Sequence, residues 1–185
     1  MVTIKKYDPK YKEDVREVCI NTGPDAAQTD KKVHDYILFT FCDYYIEQEP
    51  ENVFVLVDEE DKAQGYIFCA ADFKGYAKRF KPYLKKLRKI NFKYYAEALG
   101  EVFVYRLYSK KYPAHLHIDL NKPFRGGGNG SKMTETLFSH MKAKGVNGIM
   151  LIVGTENKRG INFYWKNGFK ILRRFGGGTA MAKEL

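Results

Sequence analysis

The sequence predicts a single α/β domain spanning residues 1–185, and three observations carry that reading. Strand-like and helix-like segments alternate along the 185 residues, the order expected of a sheet covered by helices. "NGIMLIVGT", residues 147–155, is a near-continuous apolar run of the kind that forms a strand buried on both faces. Between the alternating "AHLHIDL" and that run, "FRGGGNGSKMTETLFSHM" leads a glycine-rich loop straight into an amphipathic helix pattern.

The elements follow in chain order. "TIKKYD" reads as an opening strand. "YKEDVREVCINTG" reads as a short helix with Val15, Val18 and Cys19 on one face and Gly23 as its stop. "TDKKVHDYILFTFCDYYIEQEP" reads as one long helix, capped by Thr29 or Asp30 and ended by Pro50. "NVFVLVDEEDKAQGYIFCAADF" has β-branched and aromatic runs on either side of an acidic turn, which predicts a hairpin. A helix is expected around "YLKKLRKINFKYYAEAL", and "EVFVYRLY" after it has the residue types of an extra strand. "AHLHIDL" alternates as a strand does. A helix from about 131 to 144, the buried strand, a short helix over "NKRGINFYWKNG" closed by Gly168, and the strands "FKILRRF" and "TAMAKEL" around the turn at 176–178 complete the chain. No internal repeat or linker divides it.

Composition narrows the class. With 44% hydrophobic and 15% aromatic residues, the chain can build a packed core and is not a disordered tail. No apolar run reaches the roughly 18 residues of a membrane span, and the opening "MVTIKKYDPK" lacks the apolar block of a signal peptide, so the expected location is cytoplasmic. Cys19, Cys42 and Cys69 are odd in number, match no metal or redox spacing and fall in apolar-periodic segments; buried free thiols are expected and no metal site. The net charge of +10 is local. Residues 74–111 hold 12 Lys and Arg against Glu97 and Glu101, and the remainder is balanced at 20 bases and 20 acids.

A glycine loop before a helix exposes backbone N–H groups at the positive end of a helix dipole, which suits a phosphate. The loop is neither G-x-G-x-x-G nor a Walker sequence. It reads Arg125-x-x-Gly128-x-Gly130, which resembles the Q/R-x-x-G-x-G/A motif of the GNAT superfamily, the acetyl-CoA-dependent N-acetyltransferases. "NKRGINFYWKNGF", residues 157–169, is similar to that family's asparagine, aromatic–tyrosine helix and Gly-Phe ending, and "YPAHLHIDL" resembles a bacterial subgroup. The resemblance is strong from about residue 113 to the C-terminus and weak before it. It implies a mixed central sheet with a splayed strand pair and helices on both faces.

The resemblance also implies acetyl transfer from acetyl-CoA to a primary amine by direct attack in a ternary complex. The pyrophosphate of the co-substrate would lie on Arg125, Gly126, Gly127, Gly128, Asn129, Gly130 and Ser131. The backbone of Ile118 and Leu120 would pair with the pantetheine arm, and Asn157 would stand beside it. The motif lacks a more usual basic residue just before Gly128, which is expected to weaken phosphate binding. Tyr164 matches the tyrosine that protonates the leaving thiolate, a role its hydroxyl suits; on residue pattern alone a core aromatic on an amphipathic helix is the better reading.

His115, His117 and Asp119 alternate and so share one face of a strand. His117 is the candidate base ahead of His115, an imidazole being suited to take a proton from an ammonium; Asp119 either orients His117 or joins the two histidines in a simple polar network. Buried structural histidines remain the rival reading. Counting back from the loop as the family does lands instead on Ala114 and Leu116, and a one-residue shift reverses the face unless a bulge restores it. His34 and His140, in helix patterns, are expected to be solvated.

For residues 74–111 three readings stand: a solvated helical insertion, an acceptor-site lid whose cations draw in an acidic substrate, and a nucleic-acid surface. No RNA-binding signature accompanies the segment, so nucleic acid is not the expected partner, and no clean apolar face points to a membrane surface. The rival to an enzyme is a non-catalytic module that holds CoA or RNA on an acyltransferase-like fold. The expected partner is a small-molecule or peptide amine; the acceptor's identity and a homodimeric state stay open.

Overall fold

The computed structural model describes residues 2–185. In chain order the elements are β1 (Thr3–Lys6), α1 (Lys12–Thr22), α2 (Ala26–Thr29), α3 (Lys31–Phe41), α4 (Asp43–Gln48), β2 (Phe54–Val57), β3 (Ala63–Ala70), α5 (Phe73–Arg79), α6 (Lys81–Ile90), α7 (Phe92–Tyr108), β4 (Ala114–Leu120), α8 (Asn129–Ala143), β5 (Gly148–Gly154), α9 (Lys158–Lys166), β6 (Lys170–Arg174) and β7 (Gly178–Glu184). The strands form one mixed sheet in the order β1-β2-β3-β4-β5-β7-β6, antiparallel at every step except β4–β5.

Alternation along each strand sorts the side chains into two layers. In β2, Val55 and Val57 face the layer built by α1 to α7, while Phe54 and Leu56 face α8 through Met133, Leu137 and Met141. β4 divides the same way: Ala114 and Leu116 are buried on the α8 side, so His115, His117 and Asp119 point toward α1 to α7. The register of β4 against β3 is continuous from Gly65–Leu120 to Ala70–His115; no bulge shifts the histidines. The three cysteines are buried free thiols.

Three expectations change. The helix expected across residues 29–50 is capped by Asp30, whose Oδ1 accepts from the Lys32 amide, but it breaks at Cys42 (φ −136°), and Pro50 opens a further 3₁₀ turn instead of simply ending it. The basic segment is three helices, with Asn91 stopping one and capping the next through the Lys93 amide. "EVFVYRLY" is the last half of α7, not a strand. Its apolar side chains point two ways: Ala98 and Tyr105 inward, and Phe92, Leu99, Phe103 and Leu107 outward as an exposed apolar stripe. That stripe is the apolar face that the sequence reading did not separate.

Candidate active site

β4 and β5 pair only at Ala114–Ile149 and His115–Met150; beyond these two positions the strands part. The direction of the freed backbone groups follows from the antiparallel pattern. Asn121 donates its amide to Gln64 O at 2.9 Å, so the odd residues of β4 exchange hydrogen bonds with β3 and the even ones, Ile118 and Leu120, aim theirs into the gap. Leu120 O is already used, accepting from Arg125 Nε at 2.6 Å. Ile118 and the Leu120 amide are left for a guest.

The gap opens into a cleft of about 260 Å³ lined by Thr22, Ile118, Asp119, Leu120, Arg125, Gly126, Gly130, Asn157, Arg159, Gly160, Phe163 and Tyr164. At one end stands the glycine loop. Gly126, Gly127 and Gly128 have φ of 92°, 56° and 81°, a left-handed run in which side chains are strained. Gly128 caps α8. Among the described residues the amides of Gly127, Gly128, Gly130 and Ser131 have no backbone acceptor, while that of Asn129 bonds Gly126 O. A run of amides without backbone acceptors at the start of a fifteen-residue helix has the geometry that suits an anion. Asn129 serves the loop itself, its Nδ2 donating to Phe124 O at 3.0 Å. Gly130 is small for a separate reason: a Cβ there would stand 3.0 Å from the Phe163 ring.

On the opposite wall, Asn157 caps α9 by accepting from the Gly160 amide at 2.8 Å, which leaves its Nδ2 for a ligand. Tyr164 is partly buried, packed against the α8-side core, and its hydroxyl makes no hydrogen bond among the described residues. Burial, then the charge of Asp119, pushes its phenol up.

Across the sheet, His115 is fully enclosed. Its Nε2 lies 3.0 Å from Tyr45 Oη and its ring stacks on Tyr105 at 3.9 Å. Burial, then the proximity of His117, holds it well below its usual range. His117 packs edge-on against Phe41 and Tyr45 at 5.5 and 5.2 Å, and burial pulls its pKa down to about 4. Asp119 accepts from Tyr66 Oη at 2.8 Å and makes no hydrogen bond to His117. Burial lifts its carboxyl to about 6 against the opposing pull of Tyr66 and Arg125. His140 is not simply solvated: Nε2 lies 3.1 Å from Asn52 Oδ1, and burial lowers its pKa. His34 lies partly exposed, 3.4 Å from Asp35 Oδ1.

The description "Acetyltransferase (GNAT) family" matches residues 20–169 of the chain. This chain belongs to the GNAT acetyltransferase family. Solved structures agree on the fold. SsHAT aligns over 99% of this chain and 98% of its own at 24% identity, with a TM-score of 0.85. PH1933 from Pyrococcus horikoshii OT3 aligns over 100% and 99% at 21% identity and a TM-score of 0.69. The PaiA N-acetyltransferase from Thermoplasma acidophilum, in complex with coenzyme A, aligns over 100% and 99% at 16% identity and a TM-score of 0.64.

The GNAT fold thus gathers Ile118, Leu120, Arg125, Gly126, Gly130, Asn157 and Tyr164 around one cleft; Gly127, Gly128, Asn129 and Ser131 belong to the same loop and helix start but are not part of the lining. His117 is not part of the cleft lining, while Asp119 on the same face of β4 is. Sequence reasoning missed Thr22, Arg159, Gly160 and Phe163. The last three sit inside "NKRGINFYWKNGF", of which only the asparagine and tyrosine were followed. Arg159 is a second cation beside Arg125, in a site where the motif itself supplies only one. No group of His, Cys, Asp and Glu among the described residues is arranged to hold a metal, and no described helix is long and apolar enough to cross a membrane.

Proposed function

We propose that this GNAT protein transfers the acetyl group of acetyl-CoA to a primary amine by direct attack in a ternary complex. The observation that carries the reading is the parting of β4 and β5. It exposes strand backbone at Ile118 and Leu120, on a path from the free amides of the glycine loop to the unbonded hydroxyl of Tyr164. A pantetheine arm has amides to pair there as an added strand, and the pyrophosphate suits the amides of Gly127 to Ser131 together with Arg125 and Arg159.

In the transfer, the amine nitrogen attacks the thioester carbonyl carbon and a C–N bond forms. As the tetrahedral intermediate collapses, the C–S bond breaks, and Tyr164 gives its phenolic proton to the departing sulfur. Its raised proton affinity means that Tyr164 is protonated in the resting protein, the form from which a general acid must start.

His117 is a poor partner for a free alkylammonium. With its pKa near 4 against about 10.4 for a lysine-like amine, the transfer is uphill by on the order of 8 kcal/mol. We therefore assign it the proton released after attack, when the nitrogen of the intermediate is far more acidic. Asp119, held by Tyr66, sets the polarity of that wall instead of orienting His117.

The test is a calorimetric titration with acetyl-CoA of the parent and of Gly128→Glu, followed by an acetyl-transfer screen over amines. Micromolar binding that the glutamate removes, with turnover of at least one amine, supports the reading. A parent that does not bind acetyl-CoA overturns it.

A further inference from the structure

Six large apolar side chains stand exposed among the described residues, and four of them belong to α7: Phe92 at 68%, Leu99 at 43%, Phe103 at 58% and Leu107 at 49%. Their spacing in the sequence puts them on one face of this 17-residue helix. Exposed Ala96 and Gly100 lie between them, and a Cβ on Gly100 would meet nothing within 4 Å. The helix itself is firmly placed. On its other faces Tyr105 stacks on His115 of β4 at 3.9 Å and Tyr94 on Tyr36 of α3 at 4.5 Å, and α6 packs along it. The stripe is what is left over once α7 has packed. A contiguous apolar strip left in water marks a contact with something else.

The charge around the stripe says what that something is. Arg106 on α7 and Lys110 in the turn after it flank the apolar side chains, and Lys81, Lys85, Arg88 and Lys89 stand exposed on the neighbouring α6. None of these bases forms an ion pair among the described residues. The two acids of α7 lie off the stripe: Glu97 turns to Lys93 at 3.9 Å, and Glu101 is partly buried. A second copy of the chain, meeting this face across a two-fold axis, would lay one base-flanked stripe on another with no acid there to pair them. A single-stranded nucleic acid needs exposed rings to stack on. Here Tyr83 and Tyr105 are buried, Tyr94 is stacked inward, and two of the four exposed side chains are leucines. An anionic lipid surface suits both halves of the pattern, with phosphates for the cations and hydrocarbon just below for Phe and Leu.

We propose that α7 is a membrane-surface contact, in which Phe92, Leu99, Phe103 and Leu107 enter the headgroup layer of an anionic bilayer while Arg106 and Lys110 pair with its phosphates. The helix lies flat in the interface and does not span it, which agrees with the finding that no described helix is long and apolar enough to cross. The contact is separate from the acetyl-transfer chemistry, since none of these residues lines the cleft. It also fixes an orientation: the layer of α1 to α7 faces the lipid, and the layer of α8 faces water.

The experiment is co-sedimentation of the full chain with vesicles of phosphatidylcholine containing about one-quarter phosphatidylglycerol, and with vesicles of phosphatidylcholine alone. The variants are Phe92→Ser with Phe103→Ser, and Arg106→Gln with Lys110→Gln. The control is Ile171→Ser, which removes an exposed apolar side chain on β6. Circular dichroism checks that each variant folds; should the serine pair not fold, the glutamine pair carries the test. The parent is expected to bind the anionic vesicles about tenfold or more tightly than the neutral ones, and less tightly as salt is raised. The serine pair should lose about tenfold or more in affinity. The glutamine pair should lose as much, at about fivefold per base, and Ile171→Ser should stay within about twofold. A parent that ignores anionic vesicles or binds neutral ones equally well, or folded variants that bind as the parent does, overturns the proposal. Sedimentation velocity without lipid and titration with polyuridylate address the rival occupants. A parent dimer that the serine pair dissociates gives the face to a second copy, and polyuridylate bound in preference to vesicles gives it to a nucleic acid; either result overturns the lipid contact.

Discussion

At Tyr164 the substitution to Phe removes one oxygen from a side chain whose hydroxyl makes no hydrogen bond among the described residues. Stability should therefore hold while kcat falls by roughly 10²–10⁴-fold, the usual worth of a general acid; acetyl-CoA affinity, read by calorimetry, should stay within about twofold. Unchanged turnover would remove Tyr164 from the chemistry. Glu101 gives a second test at this scale, through pH. Its carboxyl titrates near 8 in the folded chain, against an ordinary 4.5. Between those values the native state holds a proton that the unfolded chain has lost, so stability falls as pH rises through the window. His117, lowered to about 4, and Asp119, raised to about 6, titrate alike in parent and variant and so cancel when the two are compared. From pH 6.5 to 8, then, the melting temperature of Glu101→Gln should pull progressively above that of the parent. Parallel melting curves would mean that Glu101 is not desolvated. Tyr164 was legible because a motif marks it. Glu101 was not, since a lone acid among lysines looks like a solvated face until the fold shows which way it points.

At the level of single elements, the glycine loop and α7 are the informative cases. Gly128 caps α8 at φ 81°, with open space where a side chain would go. Gly128→Ala should cost about 1–2 kcal/mol through φ alone, and Gly128→Glu should also repel a pyrophosphate. Loss of acetyl-CoA binding in the glutamate variant, far beyond that in the alanine variant, would place the anion at the loop. α7 is the opposite case. Gly100 lies in mid-helix with an ordinary backbone and nothing within 4 Å, so Gly100→Ala should stabilise the protein by about 0.5–1 kcal/mol in chemical denaturation. The same helix shows where the sequence misleads. β-branched and aromatic residues in "EVFVYRLY" suggest a strand, and apolar side chains on two faces blur the helical period. Only packing decides: Tyr105 must reach His115, which a helix over β4 allows. The break at Cys42 carried no Gly or Pro to announce it. By contrast, β4, α8, β5 and α9 were readable, because each is bounded by turn residues and has an unmixed period.

Across the whole molecule, the charge imbalance is the feature that composition showed and structure reinterprets. Twelve basic residues sit on α5, α6, α7 and the turn after them, and some are already engaged: Arg79 pairs with Glu49 at 2.7 Å, and Lys86 lies over the Phe39 ring. The layer they belong to also carries His117 and Glu101. The N-terminal half could not be read for function in advance, because the side chains it brings against β4 are far apart in sequence. Tyr45, Tyr76 and Tyr105 come together on His115 only once α4, α5 and α7 have packed over β4.

The parted strands have a mechanical meaning too. Two register pairs, Ala114–Ile149 and His115–Met150, are the whole backbone seam between a leaf of four strands and a leaf of three. Without a guest the leaves share little hydrogen bonding and are expected to open with separate free energies in native-state hydrogen exchange. A thioester arm laid along Ile118 would act as a rivet through the spine. Added coenzyme A should slow exchange at the Ile118 and Leu120 amides and bring the two leaves toward one common opening energy. The co-substrate would then be, for as long as it stays bound, part of what makes the sheet a single body.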